Sequence, residues 1–482
     1  MKEYNVKIIK KDYEKIKKLA LKAYKRKCYE TSFAYIELAS HIMTGYQFID
    51  RDKELERLLV KISDEIFERI QGKGNRGKVV IYDYQGLENR GLVWIYAEAL
   101  VNIGYQVFYI TYEEKKGRFH NLERCVISSG GKVYTIKEGS YVSRARQIIN
   151  FVRQVNPEAI FVHTIPCDIP LLEAIRRFKD IKKYYINLED HGFQLGLGFM
   201  DKIIEFRSYG FYYSRDCRGI DESKLSVLPF YPHKASKEFQ GFPFGGNGER
   251  FILSGGSTYK IEGSNYYEKI IVELLKTYDD LYFIYAGNGK SEKLDRIISE
   301  FPGRAFHIFE REDLNELMKH AFAYVSTYPI GGGLMYQYAA SEGKIPLTLQ
   351  DEKNQISDAK SFLQDTDLEG VVFYKAEDLC NEFKHLYEDR NYRETQEKKI
   401  KKTVIGQTEF ENGIRQLMEY GTVPYELKEV HLDREYVRQM FFNASSYKTY
   451  CRYFLNRKRI NLRIVFHFPM YCINSLVYRL RE

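Results

Sequence analysis

Three consecutive glycines, Gly331, Gly332 and Gly333, stand inside the run Ser326-Thr327-Tyr328-Pro329-Ile330-Gly331-Gly332-Gly333-Leu334-Met335-Tyr336-Gln337. The residues ahead of them, AYVST, read as a short strand, and MYQYAASEG after them reads as a helix. The first backbone N–H groups of a helix lack partners within it and carry the positive end of its dipole. Glycine leaves those groups open, because a Cβ would hold an approaching anion away from the backbone. The spacing therefore builds a cradle for a diphosphate. A mobile turn has the same composition, and the position between strand and helix favours the cradle.

A second group of chemistry-bearing residues lies in Asn187-Leu188-Glu189-Asp190-His191-Gly192-Phe193-Gln194-Leu195-Gly196. A histidine titrates near neutrality, and an adjacent carboxylate raises its basicity, so His191 is placed to take a proton from a hydroxyl. Asp190 or Glu189 would orient it or act as base in its stead. The competing reading is a loop histidine that only hydrogen-bonds backbone. His163 ends the strand-like AIFVHT and would offer a further polar contact at that strand's carboxyl end. No P-loop, H-E-x-x-H or strand-borne D-x-D element is present. The set therefore predicts no metal site.

These residues need a scaffold, and the periodicity supplies one. Residues 1–72 carry apolar positions at helical spacing, and KAYKRKCYETSFAYIELASHI resembles one tetratricopeptide-like helical pair. A lone pair cannot bury its own face, so it is expected to pack on the neighbouring domain. From Lys78 short apolar strands alternate with amphipathic helices, which implies parallel pairing and a doubly wound sheet. A Pro-, Gly- and aromatic-rich stretch over 229–250 reads as a linker, and a second alternating set comes after it. The expected fold class is α/β: two Rossmann-like domains facing a central cleft, with an N-terminal helical extension. The expected parts are 1–72 (helical extension), 73–235 (first Rossmann-like domain), 248–424 (second) and 425–482 (a basic, aromatic, helical tail). Such a tail either lies on an anionic membrane surface or packs back across both domains.

With its P-x-G-G-G turn opening a helix in the second alternating set, the sequence resembles glycosyltransferases of the GT-B class, particularly bacterial enzymes of polysaccharide or protein glycosylation. The resemblance implies transfer of a hexose or N-acetylhexosamine from a nucleoside-diphosphate sugar, UDP-linked, to an acceptor hydroxyl, without cofactor or metal. In that class a glutamate four residues after the last glycine holds the donor ribose; this chain has Gln337 there, a weaker partner. The departure disfavours the retaining families defined by two glutamates. The resemblance places Gly255, Gly256, Ser257 and Lys260 beside the donor phosphates, Gly287 and Asn288 in the next turn, and Arg311 in a loop serving base or phosphate. It also sets the N-x-x-D-H-x-F-x-L-G element, with Glu189, Asp190 and His191, towards the acceptor. Gly86, Asn89 and Arg90 of the first β-to-α turn would face the acceptor too. In GT-B enzymes helix dipoles and basic side chains do the work that metal-holding carboxylates do elsewhere.

Bulk properties agree with this reading and exclude others. At 482 residues the chain is too long for one ordinary core. A net charge of +8 suits anionic partners: the nucleotide sugar, a glycan, lipid-linked or protein acceptor, and peripheral contact with anionic membrane. No basic arm calls for nucleic acid. Seven scattered cysteines without a C-x-x-C pair argue against disulfides and zinc. With no signal-like or spanning apolar run, the expected place is the cytoplasm, on or near the inner face of a membrane rather than through it. Two rivals share the fold: a sugar-nucleotide 2-epimerase, and a non-catalytic GT-B-like partner of an active transferase.

Overall fold

The computed structural model describes residues 5–72, 74–87, 92–233, 238–246, 250–309, 311–365, 367–455 and 461–480. Seven strands form the first sheet: β1 (Asn75–Asp83), β2 (Gln106–Tyr112), β3 (Val133–Ile136), β4 (Pro157–His163), β5 (Lys182–Ile186), β6 (Lys202–Glu205) and β7 (Leu225–Val227). Their order is β3-β2-β1-β4-β5-β6-β7, and the pairs are parallel throughout. Six more form the second: β8 (Arg250–Gly255), β9 (Leu281–Ala286), β10 (Ala305–Ile308), β11 (Ala323–Val325), β12 (Pro346–Leu349) and β13 (Val372–Phe373). Their order, β10-β9-β8-β11-β12-β13, is parallel too and repeats the first pattern.

Uninterrupted apolar runs produce these strands, because a parallel sheet is covered on both faces. In β1, Val80 and Tyr82 belong to one apolar cluster and Val79 and Ile81 to another, so each face has its own layer of helices. Each sheet reverses its strand order next to its first strand: between β1 and β4, and between β8 and β11. The carboxyl ends of strands at such a switch point leave a crevice for ligands.

Three helices, α1 (Val6–Lys25), α2 (Tyr29–Tyr46) and α3 (Lys53–Ile66), precede the first sheet. Asp52 caps α3 through the N–H groups of Glu54 and Leu55 and accepts from the Tyr13 hydroxyl of α1 at 2.7 Å. The C-terminal helices Tyr447–Phe454, Leu462–His467 and Pro469–Leu480 complete the same apolar cluster through Tyr450, Phe454, Ile464, Phe468 and Cys472. So the tail docks on the N-terminal helices. The return across the molecule is made earlier, by the helix Gln407–Tyr420, a segment read from sequence with the second sheet. Its Phe410, Ile414, Leu417 and Met418 pack on the first sheet with Val79 and Ile81. Among the described residues no helix is long and apolar enough to cross a membrane.

Candidate functional site between the two sheets

The two switch points face a cavity of about 420 Å³. From the second sheet come Gly256, Ser257 and Lys260, which follow β8, then Gly287 and Asn288 after β9 and Arg311 after β10. Leu334, Met335 and Tyr338 of the helix Gly333–Ser341 complete that wall. The first sheet contributes Leu92, Trp94 and Ile95 from the helix Leu92–Asn102, Leu188 after β5, and Phe230, Tyr231 and His233 from the crossing segment.

Glycine is required in the second-sheet wall for two different reasons. Gly256 has φ +130°, which side chains rarely adopt. At Gly287 a Cβ would stand 1.9 Å from the Gly256 carbonyl oxygen, so the turns after β8 and β9 touch through bare backbone. Gly255, in contrast, is packed behind the wall against Ala286 O and Met335 and does not line the cavity.

The triple glycine caps the helix Gly333–Ser341, with Gly332 as the residue before its first turn. Gly331 is closed in by the Tyr336 hydroxyl and Gly333 by the Phe362 ring, while Gly332 faces the Lys260 ammonium and Met335. The Lys260 Nζ donates to Gly331 O at 3.4 Å. One lysine thus joins the turns after the neighbouring strands β8 and β11, with its charge at the helix entrance. The glycines themselves stand behind the lining, and the side chains one turn into the helix form it.

Gln337 lies inside the protein and not on the cavity. Its Nε2 donates to Phe230 O at 3.1 Å and Phe362 O at 3.3 Å. One residue later, Tyr338 donates its hydroxyl to His233 O at 2.8 Å. The helix Gly333–Ser341 is therefore tied to the segment that crosses between the sheets. Arg311 reaches the cavity with its guanidinium already engaged by Asp313 and by Gly241 O at 2.7 Å.

The Asp190-His191 pair has another occupation. Asp190 Oδ2 accepts from Arg207 Nε at 2.6 Å and Oδ1 from Nη2 at 3.1 Å, and both residues are buried. Arg207 Nη2 continues to Ile356 O at 3.0 Å, and its guanidinium lies 3.9 Å from the Phe362 ring centre. Asp190 therefore anchors an arginine that bridges the halves. Burial alone would raise its pKa; Arg207 and the hydrogen bonds from His191 and Arg207 outweigh that and hold it well below the usual carboxylate range. His191 Nδ1 sits 3.0 Å from Asp190 Oδ1, its ring stacked on Phe441. Glu189, Asp190 and His191 do not line the cavity, although Leu188 does.

His163, at the end of β4, is buried with Nδ1 2.8 Å from Asp83 Oδ1. Asp83 also accepts from the Gln85 and Gly86 N–H groups and the Tyr109 hydroxyl, so Gly86 belongs to a closed turn beneath the first switch point. Asn89 and Arg90 lie outside the described residues.

The sequence reading passed over a histidine that does line the cavity. His233 stacks on Trp94 with ring centres 3.7 Å apart, and its Nε2 is 3.4 Å from Glu98 Oε2. Trp94 and Glu98 are one turn apart on the helix Leu92–Asn102, and Tyr231 donates its hydroxyl to the same carboxylate at 3.2 Å. The hydrogen bond from His233 holds the Glu98 carboxyl below its usual range, against the opposing effect of burial. The sequence signal was faint: the chain's one tryptophan and a histidine far along, in a linker. Among the described residues no group of three His, Cys, Asp or Glu side chains is placed to hold a metal ion.

A glycosyltransferase from Rickettsia africae ESF-5 is similar in structure at a TM-score of 0.53 and 11% identity, over 72% of this chain and 98% of that one. The UDP-GlcNAc 2-epimerase of Neisseria meningitidis, solved with UDP-GlcNAc bound, gives 0.51 at 14%, over 71% and 100%. The N-terminal domain of Candida albicans trehalose-6-phosphate phosphatase gives 0.50 at 12%, over 73% and 99%. The chain has the GT-B fold. No protein-family model matches its sequence, and no curated protein does. At these identities the likeness establishes architecture alone, and a shared fold does not fix the chemistry. What this GT-B chain does has to be argued from its own cavity.

Proposed function

We propose that this chain is a glycosyltransferase that moves a sugar from a nucleoside-diphosphate sugar, UDP-linked, to an acceptor hydroxyl in bacterial surface polysaccharide or glycoprotein synthesis. The observation that carries the reading is Lys260 at the carbonyl of Gly331, where two strand-end turns and a helix N-terminus meet beside a cavity. The diphosphate of the donor would rest there, over Gly256 and Ser257. The GT-B solved structures named above include one that holds a UDP-sugar.

In the reaction the acceptor oxygen forms a bond to the anomeric carbon while the bond from that carbon to the diphosphate oxygen breaks. The electron pair leaves with the diphosphate, and the ammonium of Lys260 and the helix dipole stabilise the charge where it develops. The acceptor proton goes to a base on the opposite wall. We assign that role to His233 rather than His191, because His233 lines the cavity. A proton shared between its Nε2 and Glu98 Oε2, 3.4 Å apart, would leave Nδ1 to take the acceptor proton.

The test begins with melting temperatures in UDP, GDP, CDP and dTDP, since a ligand bound by the native state alone raises them. UDP is expected to stabilise the protein, and Lys260→Met to weaken its binding by about 10- to 100-fold. With UDP-sugars, His233→Ala is expected to lower kcat by about 10²–10⁴ while leaving UDP affinity unchanged. No response to any nucleoside diphosphate would overturn the reading in favour of a non-catalytic partner. Interconversion of sugar nucleotides without transfer would replace it with the epimerase.

A further inference from the structure

The last two helices are apolar on the side that faces out. In Leu462–His467 and Pro469–Leu480 the inward positions Ile464, Phe468, Cys472 and Ser475 are buried against the N-terminal helices and the helix Tyr447–Phe454. The outward positions fall at 462, 463 and 466 in the first and at 469, 470, 473, 476, 477 and 480 in the second, helical spacing within each, and Arg463 is the single charge among them. Leu462, Phe466 and Leu480 are 78%, 80% and 86% exposed. An outward helical face is ordinarily polar, and a contiguous exposed apolar stripe marks a surface that another phase or molecule covers.

The charge around the stripe says which. Between Tyr436 and Arg481 the sequence has nine lysines and arginines and no Asp or Glu. Beside it runs α1, with eight lysines against Asp12 and Glu14. Lys15 of α1 donates to His467 O at 2.9 Å and lies over the Phe468 ring, and the Tyr471 hydroxyl donates to Asp12 at 2.6 Å. These contacts seat α1 against the two helices, with Lys7, Lys11, Lys18 and Lys22 exposed along it. A second copy of the same face would bring this positive surface against itself, which is unfavourable. A bilayer rich in anionic lipid answers both features, with headgroups for the lysines and acyl chains for the apolar row. The helices are too short to cross: twelve residues of Pro469–Leu480 reach about 18 Å.

We propose that the outward face of residues 462–480, flanked by the lysines of α1, is a docking surface for anionic membrane, on which the protein lies without spanning it. The inference is independent of the reaction at the cavity. Its test is co-sedimentation of the full chain with vesicles of phosphatidylcholine alone and of phosphatidylcholine mixed equally with phosphatidylglycerol. Binding is expected only to the mixed vesicles, weakened by salt. The triple variant Phe466→Gln/Ile473→Gln/Leu476→Gln is expected to bind at least about tenfold less. Replacing Lys7, Lys11 and Lys18 with Gln should weaken binding on charge alone. All six positions are exposed, and an unchanged melting temperature verifies that the variants fold. Absence of binding to mixed vesicles, or binding that the apolar triple variant retains, would overturn the proposal. So would a wild-type dimer in light scattering that the triple variant dissolves, because the stripe would then cover a second copy.

Discussion

Glu205, at the end of β6, is enclosed with both carboxylate oxygens taken: Asn187 Nδ2 donates to each, at 2.9 and 2.8 Å, and Ser214 Oγ to one at 2.6 Å. Burial pushes its pKa up to about 7, against the opposing pull of Arg218. Between about pH 4.5, where an unfolded chain releases the proton, and about pH 7, the folded protein retains it. Stability therefore falls as pH rises through that window, by an amount on the order of 3 kcal/mol. Glu205→Gln removes the ionisation, so its melting temperature is expected to gain on that of the wild type between about pH 5 and about pH 8. A constant difference across that range would contradict the assignment. Asp190 has the opposite sign: its carboxyl is held low, so the stability it gives is present above the ordinary Asp range and lost as pH falls below it. Asp190→Asn leaves the buried guanidinium of Arg207 without its counter-charge, and denaturant unfolding is expected to show a loss of about 3–5 kcal/mol. Such losses at the same pH would mark Asp190 as structural even where activity also disappears.

At the scale of elements, the β-to-α turns are where sequence and structure meet most closely. Gly287→Ala sets a methyl against the Gly256 carbonyl and is expected to cost about 1–3 kcal/mol and to reduce UDP affinity together, read by unfolding and calorimetry. Leu417→Ala in the returning helix should destabilise by about 2–5 kcal/mol, because its side chain is fully buried against the first sheet. That helix also marks the limit of what the residues disclose. Uninterrupted apolar runs such as Val79–Tyr82 and Phe283–Tyr285 declare buried parallel strands, because few other environments accept them. An amphipathic helix declares only that one face is buried, not against which sheet, and 407–420 fell inside the second domain (248–424) as read from sequence, with no sign of its return to the first sheet. The site has the same division. Glycines at strand ends advertise themselves in sequence, and Gly256, Gly287 and the cap at Gly332 stand where such turns should. Asp190 and His191 do meet, but the same carboxylate also holds Arg207, seventeen positions on, and neither residue lines the cavity. His233 was hidden for the converse reason: Trp94 and Glu98 meet it only after folding.

For the whole molecule, the two sheets are held together by more than the segment that joins them in sequence. Arg207 reaches Ile356 O and Phe362, Gln337 reaches Phe230 O, and the helix Gln407–Tyr420 brings the chain back to the first sheet. Asp50, from the loop before α3, receives Tyr213 from the first half and Arg434 from the tail, so the N-terminal helices join the same network. The polypeptide thus passes from one sheet to the other twice. Two tethers forbid the halves from drifting apart as beads on a string and leave rocking about the crossings as the open motion. A protease nick confined to 239–246 would sever only one of them, and the nicked protein should still travel as a single particle under native conditions.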